Sequence, residues 1–402
     1  MEEENPMTEA IQTTRPTLDT DLYADDILRD PYPVYQKIRD MAPAVWLPKN
    51  DLWAIGRFDD AVAALAANDI LISSKGVAAN PRLNAITTPN ILMTDAPAHR
   101  PLRKVISHPV MPSGLAEVKP RIEETARQMI EALVQREEFD GMTDLAQILP
   151  LTIVSELLGL PEFGRQNMLK WAAATFDALG GDNERTAQAF PTILELRAFC
   201  ADEVRRDTVR PGSWVARLFE AVDEGSIDPS LVPMFTRDYI APSLDTTIFA
   251  TGHLMHQLGN APDQWEKLRA NPAMIPNAIN EAVRLESPIR GFTRYANENY
   301  DVDGVTIPKG ERVLILYASA NRDERRWTDP GTFDVERKVS DHVGFGHGIH
   351  ICMGAQLARL EMRSILQVMV EKVARIEVGE PEFELNNVLR GFRSLPMKFI
   401  PV

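Results

Sequence analysis

The chain has 402 residues, of which 44% are hydrophobic and 25% are charged, and its formal net charge is −15 at pH 7. This acidic balance argues against a protein that binds nucleic acid, which would carry a basic face. The two cysteines, Cys200 and Cys352, exclude a zinc or iron–sulfur site built from cysteines alone and suit a reducing cytoplasm. A length beyond about 250–300 residues predicts two domains or one large helical domain.

The sequence offers no segment for a membrane or for secretion. It contains no run of about 18 apolar residues, so no part is expected to span a bilayer. Its start, 1–6, is acidic and lacks the basic and apolar regions of a signal peptide. Residues 1–16 are polar and are predicted to be disordered. We therefore expect a cytoplasmic protein without a membrane anchor.

The first part of the chain alternates short helices and strands. A helix is predicted over 30–39, a hairpin from strands at 44–47 and 52–55, and a further helix over 58–68. Residues 73–89 follow no period, and a stretch of that length without periodicity is predicted to be a functional loop.

Helical periodicity dominates from about 94 to 285. The helices are predicted over 94–104, 116–135, 146–158, 163–179, 184–206, 213–222, 229–258, 264–269 and 275–285. Beyond them the pattern changes to strands, and 304–307 and 312–318 flank a turn. A helix over 355–373 and two short strands within 383–401 complete the chain. The β-containing parts are thus expected at about 44–55, 289–340 and 383–401.

The stretch 343–354 places Cys352 among four glycines and two histidines, directly before a predicted helix. Backbone N–H groups and the positive end of a helix stabilise a thiolate, so this position is expected to lower the pKa of the thiol. Glycines would let the backbone lie close to a flat partner. A structural cysteine at a loop–helix junction is an equally good interpretation of this loop taken alone.

The longest predicted helix, 229–258, contains features that distort a helix. Pro242 has no N–H for the carbonyl of Asp238, and Thr246 can bond back to the carbonyl of Pro242. These features predict a local kink with an acid, Asp245, beside the alcohol of Thr246. Such a pair can relay protons to a bound group. A kinked helix with solvent-facing polar residues is the alternative.

Charged residues elsewhere form two further candidate groups. Glu281 and Arg284 stand three residues apart between apolar neighbours, which indicates a partly buried ion pair, although most such pairs lie on the surface. His99 and Arg103 share a helix face because they stand at i and i+4. Together with two more cations they would suit a ligand with two carboxylates. The four cations of this set are His99, Arg103, Arg294 and His350.

These motifs meet in one family. Residues 345–354 resemble the haem-binding loop of the cytochrome P450 superfamily, Phe-x-x-Gly-x-His-x-Cys-x-Gly, at every fixed position. The Glu281–Arg284 pair, the Asp245–Thr246 pair and the helix of His99 and Arg103 are similar to three more motifs of that family. The resemblance covers about 30–400.

The resemblance implies a mainly α fold with a smaller β region, a triangular helical prism with a β-rich side, as a single domain over 17–402. It also implies the soluble bacterial type. Residues 73–77, 286–288 and 386–391 are loosely similar to bacterial members that O-demethylate para-methoxybenzoate-like acids.

The resemblance further implies a haem-thiolate monooxygenase that inserts one oxygen atom of O2 into its substrate. Haem b would be the cofactor, with Cys352 as the axial ligand of the iron. The remaining implied haem contacts are Phe345, Gly346, Gly354 and the four cations, which would bind the propionates. Asp245 and Thr246 would deliver protons.

Two departures from the family pattern stand out. The family usually has a small residue and a glycine where this chain has Pro242 and Ser243. Thr332 occupies a position where the family usually has Arg or His, so the third partner of Glu281 and Arg284 is open.

Electrons are expected from a separate ferredoxin and its reductase. The protein itself is expected to be a monomer. Family positions place a basic docking patch near the thiolate, made of Arg100, Arg103, Lys104, Arg359 and Arg363. A peroxide-driven enzyme of the same fold and a haem-binding sensor or carrier are the alternatives, and the Asp245–Thr246 pair argues against both.

Family positions also imply a substrate pocket that is almost entirely apolar, which suits a small apolar or aromatic molecule. Its candidate residues are Ile91, Leu92, Phe176, Leu179, Ala241, Leu244, Ile289, Phe292 and Phe392, and each could equally be core packing. The benzoate-type members carry small hydroxyl residues where this chain has Asp238. That acid favours a neutral aromatic or terpenoid substrate.

Overall fold

The computed structural model describes residues 15–86 and 90–402. The disorder predicted for 1–16 falls almost entirely outside this range. Helices predominate in the described part, and none of them is long and apolar enough to cross a membrane. They are α1 (Asp25–Arg29), α2 (Tyr32–Met41), α3 (Phe58–Ala66), α4 (Pro81–Ile86), α5 (His99–Ser107), α6 (Pro112–Leu115), α7 (Lys119–Leu133), α8 (Ser155–Leu158), α9 (Glu162–Leu179), α10 (Glu184–Ala198), α11 (Trp214–Asp223), α12 (Val232–Ile240), α13 (Asp245–Asn260), α14 (Pro262–Ala270), α15 (Ile275–Leu285), α16 (Tyr317–Ala320) and α17 (Ala355–Lys372).

The strands form a smaller β region. They are β1 (Val45–Leu47), β2 (Leu52–Ile55), β3 (Leu71–Ile72), β4 (Phe139–Asp140), β5 (Phe292–Ala296), β6 (Tyr300–Val302), β7 (Val305–Ile307), β8 (Arg312–Ile315), β9 (Val373–Val378), β10 (Glu382–Leu385), β11 (Arg390–Ser394) and β12 (Pro396–Pro401). Five of them make a sheet in the order β1-β2-β8-β5-β3, in which only β2 and β8 run parallel. The order β4-β12-β9 makes a second sheet, and β6-β7 and β10-β11 are hairpins.

The helical part and the sheet part of the protein each have a main apolar core. The larger core lies among the helices from α5 to α17 and includes Trp171, Trp265 and Phe235, each at most 1% exposed. The second core lies between α3 and the five-stranded sheet, and in it the rings of Phe58 and Trp327 meet edge to face. The predicted mainly α fold with a smaller β region is therefore confirmed.

The prediction of a single helix over 229–258 is wrong, because the chain leaves the helical path between α12 and α13. Pro242 lies in this break, where it has no N–H to continue the helix. The hydroxyl of Ser243 donates to the carbonyl of Tyr239. The Thr246 hydroxyl donates to the Pro242 carbonyl over 3.0 Å, as expected for a distorted turn.

Two other predictions also need correction. The stretch 73–89 was expected to be a loop, but α4 occupies part of it, opened by Pro81 and by the Asn80 side chain, which accepts from the N–H groups of Arg82 and Leu83. Residues 87–89 lie outside the described part. The tail holds three strands rather than two, because β12 pairs with β9 after the β10–β11 hairpin ends.

Candidate functional site

A cavity of about 310 Å³ lies where the break between α12 and α13 faces the loop 344–354. Its walls also include residues of α5, α9 and α10 and the segment that leads into β5. Most of the lining is apolar, and its polar groups are confined to a few positions. This volume and this lining suit a largely apolar ligand.

Cys352 lies in the wall of this cavity, three residues before Ala355, where α17 begins. Its backbone N–H donates to the carbonyl of Phe345 over 2.8 Å, which fixes the loop. Burial raises the pKa of the Cys352 thiol, while the N–H of Gly354 and the guanidinium of Arg103 oppose that rise. The Gly354 N–H and the Arg103 charge act in the direction expected from the sequence, because both favour the thiolate.

The other cysteine, Cys200, does not share this environment. It lies fully buried in the helical core, and burial raises the pKa of its thiol to about 12. A thiol in such surroundings is inert. Of the two cysteines, only Cys352 is placed to bind a group in the cavity.

The glycines of the loop leave space beside Cys352. Gly346 has φ +73°, which a residue with a side chain rarely adopts. A Cβ atom added at Gly354 would meet no heavy atom within 4 Å, so this position borders open space. The ring of Phe345 lies 4.2 Å from the guanidinium carbon of Arg359 and completes this wall.

The four predicted cations lie together at one edge of the cavity. The rings of His99 and His350 meet edge to face with centroids 4.6 Å apart, and Arg103 donates to the carbonyl of Ile351. Arg294 is 3% exposed and lines the cavity with Arg103 and His350. Burial, followed by Arg294, His99 and Arg103, lowers the pKa of His350 to about 3. The two guanidinium groups, together with imidazole N–H donors, favour an anionic ligand.

One ring nitrogen of each histidine in this set has no hydrogen-bond partner in the described part of the chain. The Nε2 atoms of His99 and His350 are buried, and no partner exists for either within residues 15–86 and 90–402. A buried nitrogen without a partner is costly. Carboxylate groups at this edge would satisfy both nitrogens, so the residues present fit a group with two carboxylates.

The structure places Asp245 and Thr246 on different sides of the first turn of α13. Thr246 lines the cavity, whereas Asp245 is 4% exposed and lies outside the lining. The Oδ2 atom of Asp245 has no hydrogen-bond partner in the described part of the chain. Burial, with contributions from Glu384 and Asp177, raises the pKa of Asp245 to about 7. Asp245 can therefore hold or release a proton near neutral pH.

Glu281 and Arg284 form a bidentate ion pair in which both side chains are fully buried, with N–O distances of 2.7 and 2.8 Å. The third partner is Arg337, whose Nε donates to Glu281 over 3.0 Å. Thr332 contributes only its backbone carbonyl, which accepts from Arg337 over 3.2 Å and from Arg284 over 3.4 Å. Sequence reasoning missed Arg337, although a cation five residues after Thr332 was the available signal.

Seven of the nine predicted pocket residues lie in the cavity lining: Ile91, Leu92, Phe176, Leu179, Ala241, Ile289 and Phe292. The other two, Leu244 and Phe392, lie outside it, which corrects their assignment. Leu244 is fully buried in the helical core beside the break. The Phe392 ring packs instead against His253 and His256 of α13, with centroids 4.5 and 5.1 Å away.

The sequence analysis identified only some of the polar residues in the cavity lining. Asp238 lies there as expected, but its Oδ2 accepts from the backbone N–H of Ile91 over 2.9 Å, and burial raises its pKa to about 7. Two arginines that sequence analysis did not single out, Arg197 and Arg237, also line the cavity. Nothing in the local sequence separates them from solvated helix charges.

The predicted docking residues divide into two groups. Arg100, Lys104 and Arg363 are exposed. Arg103 and Arg359 are half-buried, and Arg359 donates to the Asn280 side chain over 3.0 Å. Three of the five cations are thus free to face a partner.

Comparison with known proteins places this geometry in a family. The sequence model of the cytochrome P450 family matches residues 240–388. Cytochrome p450 CYP199A2 of Rhodopseudomonas palustris is 35% identical over 391 residues, which cover 96% of this chain and 95% of that protein. The chain belongs to the cytochrome P450 family. It is a P450 monooxygenase, and its cofactor is haem b, which the family binds through a cysteine thiolate.

Other relatives agree with this assignment. Linalool 8-monooxygenase of Pseudomonas putida is 29% identical over 96% of this chain and 99% of its own length. Among solved structures, cytochrome P450 CYP268A2 of Mycobacterium marinum in complex with pseudoionone has a TM-score of 0.84 and 27% identity, and the match covers 96% of this chain and 100% of that one. The P450 fold expected from the sequence motifs is therefore confirmed.

Proposed function

We propose that this P450 inserts one oxygen atom of O2 into a small apolar or aromatic substrate, by hydroxylation or by oxidative O-demethylation, with electrons from a separate ferredoxin and its reductase. The observation that carries the proposal is one cavity whose walls contain Cys352, Thr246 and three of the four predicted cations, Arg103, Arg294 and His350. Haem ligated by a thiolate supplies the oxidising chemistry. A cytoplasmic location and a monomeric state stay predictions.

In this proposal the Cys352 thiolate would hold the haem iron. Gly346 and Gly354 would let the loop backbone lie close to the haem, and the Phe345 ring would contact it. His99, Arg103, Arg294 and His350 bind the propionates. The unpartnered Nε2 atoms of the two histidines support that role, because charge-assisted hydrogen bonds to carboxylates would satisfy them.

Asp245 and Thr246 deliver protons from opposite sides of the α13 start. The Thr246 hydroxyl stands at the cavity wall, where its bond to the Pro242 carbonyl orients it. Asp245, with a pKa raised to about 7, exchanges protons readily near neutral pH. The break at Pro242 supports this division of roles, because it makes Asp245 and Thr246 the first two residues of a new helix.

A ferredoxin would dock on the face that carries Arg100, Lys104 and Arg363. These exposed cations lie on α5 and α17, the helices that flank the Cys352 loop, and they would attract an acidic partner.

The deciding experiment compares Thr246→Ala with wild type in product formed per NADH consumed, with ferredoxin and its reductase present. We expect the variant to consume NADH but to release most of the reduced oxygen as peroxide, because a proton donor at the cavity wall is lost. Thr251→Ala is the control, since Thr251 is a buried alcohol of α13 that lies outside the lining.

Two results would contradict the proposal. A carbon-monoxide difference spectrum without the thiolate-type Soret band would remove Cys352 as the ligand. Equal turnover with hydrogen peroxide in wild type and Thr246→Ala, together with no ferredoxin-supported product, would favour the peroxide-driven alternative.

A further inference from the structure

One side chain gives the substrate cavity a positive charge that the proposed oxidation does not use. Arg197, on α10, lines the cavity and is half-buried. Its Nη1 donates to the carbonyl of Ile86 over 3.1 Å, whereas its Nε is buried without a partner in the described residues. The acid nearest to it in sequence, Glu195, binds Lys170 and Trp171 instead. Arg197 therefore has unused hydrogen-bonding capacity beside the cavity.

The electrostatic surroundings reinforce this positive character. Burial and the neighbouring Arg237 lower the pKa of Arg197, which means that the added charge is unfavourable there without an anion. Asp238 is the acid of the lining, but its carboxyl group accepts from the Ile91 backbone and the Asn90 side chain, and its pKa is raised to about 7. A carboxyl group that is partly protonated at neutral pH does not neutralise the charge of Arg197.

We propose that the substrate is an apolar carboxylic acid whose carboxylate binds Arg197 while its hydrocarbon part extends along the cavity toward Thr246 and Cys352. The guanidinium group suits this role, because its planar donors match both oxygens of a carboxylate. This inference rests on the proposed monooxygenase function and specifies its substrate class. It replaces the neutral substrate expected from Asp238, whose side chain is already engaged by the protein.

The test measures binding to the haem-loaded protein by the spin-state shift of the Soret band. The probes are two size-matched pairs: naphthalene-2-acetate with naphthalene-2-acetamide, and decanoate with decanamide. We expect each acid to bind wild type at least about ten-fold more tightly than its amide. Arg197→Gln should remove that preference and leave amide binding unchanged, and Arg197→Lys should keep part of it. Arg82→Gln is the control, since Arg82 is an exposed cation outside the lining.

Equal affinities of acid and amide for wild type would overturn the inference, and so would an acid preference that survives Arg197→Gln. The wild-type comparison decides the matter even if an Arg197 variant does not fold. A normal thiolate-type carbon-monoxide spectrum together with either result would leave the monooxygenase proposal standing. Loss of that spectrum in wild type would remove the proposed function itself.

Discussion

Replacing Arg337 by Gln tests whether this residue completes the buried ion cluster of Glu281 and Arg284. The Oε1 atom of Glu281 accepts from Arg284 over 2.8 Å, from Arg337 over 3.0 Å and from the backbone N–H of Asp334 over 3.2 Å. Removal of Arg337 takes away one charge-assisted bond, which contributes about 1.5–3 kcal/mol. Arg284 would still hold both oxygens of Glu281, so we expect a loss of about 2 kcal/mol in the free energy of unfolding.

Two further variants set the scale of this prediction. Arg284→Gln removes the bidentate partner of a fully buried carboxylate and should cost about 3–5 kcal/mol. Thr332→Ala should cost less than about 0.5 kcal/mol, because the exposed Thr332 contributes its backbone carbonyl and keeps it in the variant.

The assay is equilibrium urea unfolding of the haem-loaded variants, followed by far-ultraviolet circular dichroism and by the Soret band. With an m-value of about 3 kcal/mol per molar urea, the loss expected for Arg337→Gln lowers the midpoint by roughly 0.7 M. Both probes are needed, because a cofactor can uncouple the two transitions. Equal midpoints for Arg337→Gln and Thr332→Ala would refute the assignment of Arg337 as the third partner.

Three other predictions address the pH dependence, the cofactor site and the docking face. Glu361 is 1% exposed, neither of its oxygens has a hydrogen-bond partner in the described residues, and burial raises its pKa to about 8. The folded state thus binds this proton more tightly than the unfolded chain, so stability should fall as pH rises from about 4.5 to about 8, and Glu361→Gln should flatten that fall in urea titrations. Gly354→Val should lower the haem content per protein by more than half with unchanged circular dichroism, whereas Gly331→Val, also beside open space, should bind haem normally. Arg363→Glu should slow ferredoxin-supported reduction several-fold at low salt and less at high salt, unlike Lys170→Glu outside the docking face, and a salt-independent effect would argue against electrostatic docking.

The sequence predicted most elements and the cofactor loop, because these depend on neighbours close along the chain. The period of apolar residues located nearly every helix from α7 to α17, and glycine spacing around Cys352 identified the loop. At Pro242 the sequence predicted a distortion of the helix, but it did not show that α12 would end there. Whether a proline kinks or ends a helix depends on what packs against the freed carbonyls.

Tertiary structure decided which side chains share a site. Arg337 reaches Glu281 across 56 positions of sequence, and Thr332, the residue at the expected place, does not use its side chain. The positions of Phe392 and Arg197 also depend on tertiary packing. Phe392 was expected in the pocket, but its ring packs against His253 of α13. Arg197 resembled a solvated helix residue in the sequence, but it lines the substrate cavity. Local sequence determines backbone conformation through contacts within a few residues, but the direction in which a side chain points is set by how distant elements pack.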